Sequence, residues 1–224
     1  MKGRLLCSLV LYLNCASVLW ATGPFENLDF EQATIEPAPV GGWTFPADPA
    51  EAFPGWTVGG PGTGVSYNDL SIGGTAIDLM GPEFPNFAGY NPLQGSYSVL
   101  LQYFDIGGGP PTLSQTGVIP VGTKSINFLI AADKADAALT LNGVNIPLNP
   151  ISGGRLAGDI SSFAGGVAQI TFSTTTGKGG SGDWLYFDDV QFSPDAIPEP
   201  GSLNLLTIGV LGLAFWHLAH RRAA

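Results

Sequence analysis

Between residues 22 and 195 the chain contains no cysteine and no histidine; Cys7 and Cys15 precede this stretch, and His217 and His220 follow it. Without them there is no Ser-His-Asp triad, no Cys-His pair, no disulfide and no ordinary zinc site there. Positive charge is almost as scarce. Lys124, Lys134, Arg155 and Lys178 stand against seventeen of the eighteen acids, a balance of −13. Such a surface repels phosphate backbones and anionic headgroups, which argues against nucleic-acid binding. Divalent cations and neutral glycans remain compatible partners, although acidity also serves solubility. No helical periodicity is convincing in this stretch either.

The two ends read as targeting segments. Residues 1–21, MKGRLLCSLVLYLNCASVLWA, combine Lys2 and Arg4 with an apolar run and a small Ala21. That is the pattern of a secretory leader handed to the Sec machinery and cut by signal peptidase. Lipidation at Cys15 is the alternative; it is disfavoured because that chemistry needs a small residue before the cysteine, where Asn14 stands.

The middle, residues 22–195, is rich in glycine and proline and carries short β-prone runs separated by turn signals, the rhythm of an antiparallel all-β domain. Strands are expected at 25–31, 55–58, 64–67, 75–79, 97–103, 113–119, 125–131, 137–141, 167–173 and 184–192. In VAQITFS, Ala168, Ile170 and Phe172 alternate with polar residues, placing one face on a core and one in water. In SINFLIA, Ile126, Phe128 and Ile130 share a side. Asn142-Gly143 lies between two β-prone arms and suits a type I′ hairpin turn. Trp56, in PGWTV, is assigned to the core. So many short strands favour a β-sandwich.

Two stretches, 32–54 and 81–95, are read as loops because of their prolines. Their rings, Trp43, Phe84, Phe87 and Tyr90, form a platform for a sugar in one reading and cap the sandwich ends in the other, which is favoured. Carboxylates are the only abundant reactive groups. Two of them can run a glycosidase, but spacing nominates no pair. Asp188-Asp189 in YFDDVQF differ, since adjacent strand residues point to opposite faces and one must be compensated. A Ca²⁺ ion with Glu31 and backbone carbonyls would do so, as would hydrogen bonds at a strand end. TTTGKGGSGDW is no phosphate loop, because Phe172 and Gly179 stand where glycine and Ser or Thr are needed.

The order NLDFE, PGWTV, LSQTGVIPVGTKSINFLI and YFDDVQF resembles the galactose-binding-like jelly-roll family, which includes many carbohydrate-binding modules. Phe30-Glu31 and Asp188-Asp189 match its first and last strands. The resemblance implies a jelly-roll β-sandwich with a structural calcium at Glu31, Asp188 and Asp189. The chain departs from the family in having no obvious sugar-binding set.

The end, residues 196–224, begins with Ile197-Pro198-Glu199-Pro200. An uncharged run follows at 203–219, roughly 25 Å long as a helix, and then Arg221 and Arg222. The arginines place the tail end in the cytoplasm and the β domain outside. These three elements in this order resemble the PEP-CTERM sorting signal of Gram-negative bacteria. The resemblance implies processing by an exosortase in the inner membrane and release to the cell surface or an exopolysaccharide matrix. The expected protein is therefore non-enzymatic, exported and transiently anchored by one transmembrane helix. A module binding extracellular polysaccharide is the alternative, and a carboxylate-dependent glycan hydrolase a distant third.

Overall fold

The computed structural model describes residues 23–35, 46–69, 74–82, 91–104, 109–175 and 182–197. The expected leader and the segment from Pro198 onward lie outside the described residues. The described chain is all-β, a sandwich of two sheets. Its strands are β1 (Thr57–Gly59), β2 (Gly64–Tyr67), β3 (Ala76–Met80), β4 (Ser98–Tyr103), β5 (Thr112–Val118), β6 (Ser125–Ala135), β7 (Ala137–Leu141), β8 (Val144–Asn145), β9 (Leu148–Ile151), β10 (Arg155–Asp159), β11 (Val167–Thr174) and β12 (Asp183–Ser193). One sheet has the order β1-β5-β11-β7-β8 and the other β2-β3-β4-β12-β6-β10-β9.

The expected strands from 55 to 192 are found, with shifted ends. Residues 25–31 do not form one. Asn27 and Phe30 adopt left-handed backbone angles, φ 50° and 58°, which no extended run tolerates. The segment is instead tied down by side chains: Asn27 Nδ2 donates to Pro54 O (3.0 Å), and Trp56 Nε1 donates to Asn27 O (2.9 Å). The antiparallel expectation also fails once, because β2 and β3 run parallel. Missing from the sequence reading were β9 and β10, where Pro150 and several glycines mimic a loop. Gly158 sits in β10 because a Cβ there would run into Ile146 Cγ2. A single helical turn, Pro49–Ala52, is capped by Asp48, whose Oδ1 accepts from Ala50 N (2.8 Å).

The hairpin turn at Asn142-Gly143 is as expected, with φ 49° and 78° joining β7 to β8. On β11, Ala168, Ile170 and Phe172 are buried and Val167 and Gln169 exposed, so the alternation reads correctly. Between the sheets an aromatic cluster fills the core. Phe172 from one sheet stacks on Phe187 from the other (4.7 Å between centroids) and meets Phe128 edge-on (5.1 Å). Phe30 and Trp56 extend the cluster, with Trp56 buried as assigned.

The seven-stranded sheet is buried on both faces at its centre. Every residue of β3 and β4 is buried. Ile77, Leu79, Val99 and Leu101 face the main core, whereas Met80, Leu100 and Tyr186 form a second cluster on the outer face. Residues near Asn91 cover part of that face: Tyr186 Oη donates to Asn91 O (2.8 Å), and Leu93 packs on the cluster. Polar residues that share this outer face are therefore taken out of water.

Candidate functional site

The last strand breaks its register against β6 between Asp188 and Gln191, and Asp189 takes a left-handed φ of 47°. This bulge buries both aspartates, leaving Asp188 0% and Asp189 8% exposed. Because the sheet is covered on both faces here, neither side of the strand offers these carboxylates water.

Asp189 is met by a cation. Arg155 Nη1 lies 2.8 Å from its Oδ2, and Arg155 Nη2 donates to its backbone oxygen. Gln191 Nε2 adds a bond of 2.7 Å to Oδ2. Arg155 Nε donates to Asn127 Oδ1 at 2.5 Å, so one guanidinium on β10 reaches across β6 to β12. The planar fork of arginine suits this double grip. Sequence reasoning missed Arg155; the signal was its standing as the one arginine between 22 and 195.

Asp188 is met by donors only. Its Oδ2 accepts from Gln94 N (3.0 Å) and Ser98 Oγ (2.7 Å), and its Oδ1 accepts from Asp189 N (2.6 Å). Burial pushes its pKa up to about 7; the hydrogen bonds from Ser98 and the Asp189 and Gln94 amides pull it back, and the negative charge of Glu31 pushes it further up. Glu31 Oε1 in turn accepts from Ser96 N (2.8 Å) and Tyr97 N (3.0 Å). Gly95, at φ 59°, lies so close to Glu31 Oε1 that a Cβ would collide with it. Glu31 and Asp188 thus hold the turn before β4 between them.

Of the three residues singled out for calcium, Glu31 and Asp188 come together around residues 94–98, while the Asp189 carboxylate is engaged by Arg155. Two carboxylates that repel each other, one of them buried without a cationic partner, suit a hard cation chemically. Among the described residues no three His, Cys, Asp or Glu side chains are grouped so as to hold a metal ion.

A second buried carboxylate lies on the outer face of the same sheet. Asp78 on β3 is 0% exposed, and its neighbour across the parallel pair, Ser66, donates to its Oδ1. Its Oδ2 is buried with no hydrogen-bond partner. Burial raises its pKa to about 8; Ser66 opposes the shift, the nearby negative charge of Asp69 adds to it, and the Asp69 backbone opposes it more weakly. The signal was present in the sequence: AIDLM places one charge in an otherwise apolar strand.

Trp43, Phe84, Phe87 and Tyr90 lie outside the described residues, as do Pro198, Glu199, Pro200, Arg221 and Arg222. Among the described residues no helix is long and apolar enough to cross a membrane. A half-buried aromatic pair does occur at the outer face, where Phe104 meets Trp184 edge-on (5.7 Å) and Lys134 Nζ lies 5.4 Å from the indole centroid.

No family model matches the chain, and no curated protein matches it. Among solved structures it is similar to the enzymatically active domain of tailspike protein 4 from bacteriophage CBA120, with 17% identity, a TM-score of 0.37 and coverage of 62% of this chain. The chain spans only 19% of that tailspike domain. It is also similar to the K2 cleaved adhesin domain of Lys-gingipain, with 12% identity over 62% of this chain and 90% of that one, and a TM-score of 0.37. A third is TmCBM61 in complex with β-1,4-galactotriose, with 17% identity over 64% of this chain and 90% of that one, and a TM-score of 0.33. Likenesses this distant assign no activity.

The two raised carboxylates set a pH dependence. Below the usual carboxylate pKa both folded and unfolded chains hold the protons. Between there and about 7 for Asp188 or about 8 for Asp78, only the folded chain does, so rising pH favours unfolding. Each group costs up to about 1.4 kcal/mol per pH unit inside its window. In chelator-containing buffer the melting temperature is expected to fall from pH 5 to pH 8 and then level off. Asp78→Asn, which mimics the protonated acid, makes the decline shallower and removes its last part. Parallel melting curves for the two proteins would speak against the assignment.

Proposed function

We propose that the chain is an exported, non-enzymatic β-sandwich of galactose-binding-like jelly-roll type, delivered to the cell surface or exopolysaccharide matrix by a PEP-CTERM segment. The observation that carries this reading is the sequence after the sandwich: Pro198-Glu199-Pro200, then the uncharged run at 203–219, then Arg221 and Arg222. The way the fold ends supports it. After Ser193 the chain leaves the sheet through exposed Pro194, Asp195 and Ala196, held by Ser125 Oγ donating to Asp195 O (2.8 Å). A motif hung on an exposed connector is open to a protease.

In this reading signal peptidase removes residues 1–21 after passage through the Sec machinery. The apolar helix then halts transfer in the inner membrane, the arginines keep its end in the cytoplasm, and the prolines hold the motif extended for an exosortase. Absence of Cys and His between 22 and 195 supports a delivered rather than a catalytic domain. A calcium ion between Glu31 and Asp188 would further lock the turn before β4, with Arg155 serving Asp189.

A second reading, a module that binds extracellular polysaccharide, is favoured by the Trp184–Phe104 pair, since an indole face can stack on a sugar ring. Retardation in gels containing the producing cell's own polysaccharide, reduced by Trp184→Ala, is the result expected of a binder. Migration unaffected by the polysaccharide would remove this reading.

The sorting reading is tested on the surface protein by mass spectrometry of its C-terminus. Wild type is expected to lack residues 203–224, whereas Glu199→Ala keeps them and stays in the membrane fraction. Surface-exposed protein ending at Ala224 would contradict it.

A further inference from the structure

We propose that the outer face of the seven-stranded sheet carries a divalent-cation site, separate from Glu31 and Asp188, centred on Asp78 and Asp69 and built from oxygen ligands. Three observations meet here. Asp78 Oδ2 is a buried acceptor with no hydrogen bond, a costly state unless something absent from the protein itself meets it. Asp69, 4% exposed, is close enough for its charge to act on Asp78, so two carboxylates are buried side by side. Asp78 forms no ion pair with a cationic side chain among the described residues. Arg155 is committed to Asp189, and Lys134 sits by Asp133 and Trp184.

The surrounding groups favour a hard cation over a neutral ligand. Ser66 spends its hydroxyl proton on Asp78 Oδ1, which orients the carboxylate and leaves Oδ2 for a ligand. Gln102 faces the same side of the sheet opposite Ala76, buried, with its Nε2 donating to Gly74 O (3.1 Å). Asp78 Oδ2 is an unmet acceptor oxygen, and Ca²⁺ is a cation that collects carboxylate, carboxamide and carbonyl oxygens at flexible geometry. Tyr67, Asn68 and Gly81 close the neighbouring end: Asn68, at φ 53°, accepts from Gly81 N through Oδ1 (2.7 Å), fixing where β2 ends and Asp69 begins. Two strands and the residue leaving one of them are thereby held ready around one point.

The test is calorimetric titration of CaCl₂ into the full-length chain, purified in detergent and stripped with chelator. Wild type is expected to bind Ca²⁺, and Asp78→Asn to bind one equivalent fewer. Glu31→Gln keeps the equivalent that Asp78→Asn loses, which separates this site from any ion at Glu31 and Asp188. Asp69→Asn is expected to weaken that equivalent by at least about tenfold, because it removes one of two charged ligands. The proposal is overturned if folded Asp78→Asn binds as many equivalents as wild type, or if wild type binds no Ca²⁺ at millimolar concentration. If Asp78→Asn does not fold, Asp69→Asn decides, and affinity equal to wild type overturns the site.

Discussion

A buried carboxylate must find a partner or give up its charge, and β12 buries two in succession. Asp189 finds Arg155, whose guanidinium also holds Asn127, so the ion pair laces β12, β6 and β10 together across three strands. The backbone bulges at Asp189, while Asp188, still in register with Leu129, accepts from Gln94 N in the turn before β4. Glu31 completes that turn from the other side, which ties the N-terminal coil to the last strand. Val190 N donating to Leu28 O (2.9 Å) closes the same seam through the backbone. The aromatic core could form without these contacts, but the relative placement of the first segment, the turn and the last strand could not.

Burial on both faces of the central strands explains why polar residues there matter more than their number suggests. A strand in a sandwich usually has a wet side where a charge is harmless. Here Asp78, Ser98, Gln102 and Asp188 all sit on a covered outer face, each buried. Such groups fix a structure only when every one of them is met. Ser98 and Asp188 meet each other, whereas Asp78 retains one unmet oxygen. With only Lys124, Lys134, Arg155 and Lys178 between residues 22 and 195, this stretch has few cations of its own to set against its carboxylates.

Much of the sandwich was legible because the deciding signals were local. Alternation in VAQITFS and the Asn142-Gly143 turn depend on neighbours in sequence, and both read correctly. The failures have non-local causes. Residues 25–31 looked like a strand, yet Asn27 and Phe30 turn left-handed because Trp56, Pro54 and the core claim them. β9 and β10 looked like a loop, because Pro150 at the sheet edge and the tightly packed Gly158 carry turn-like residue types for strand reasons. For the site, Glu31 and Asp188 were singled out from NLDFE and YFDDVQF, and both bond the turn before β4, while Asp189, named with them, turns to Arg155. Arg155 and Asp78 were not singled out: a lone arginine and a lone charge in AIDLM were visible, but their partners are set by a bulge and a second buried face far away in sequence. Trp43, Phe84, Phe87 and Tyr90, the expected leader and the expected sorting motif at 198–200 lie outside the described residues and rest on sequence alone.

The claim that the Arg155–Asp189 pair sets the seam is tested most directly by a double-mutant cycle in urea. Arg155→Met leaves Asp189 buried and uncompensated and is expected to cost about 3–5 kcal/mol. Adding Asp189→Asn to it is expected to recover most of that loss, giving a coupling of at least about 2 kcal/mol. If Arg155→Met costs no more than about 0.5 kcal/mol, the range of an ordinary surface substitution, the pair does not hold the seam.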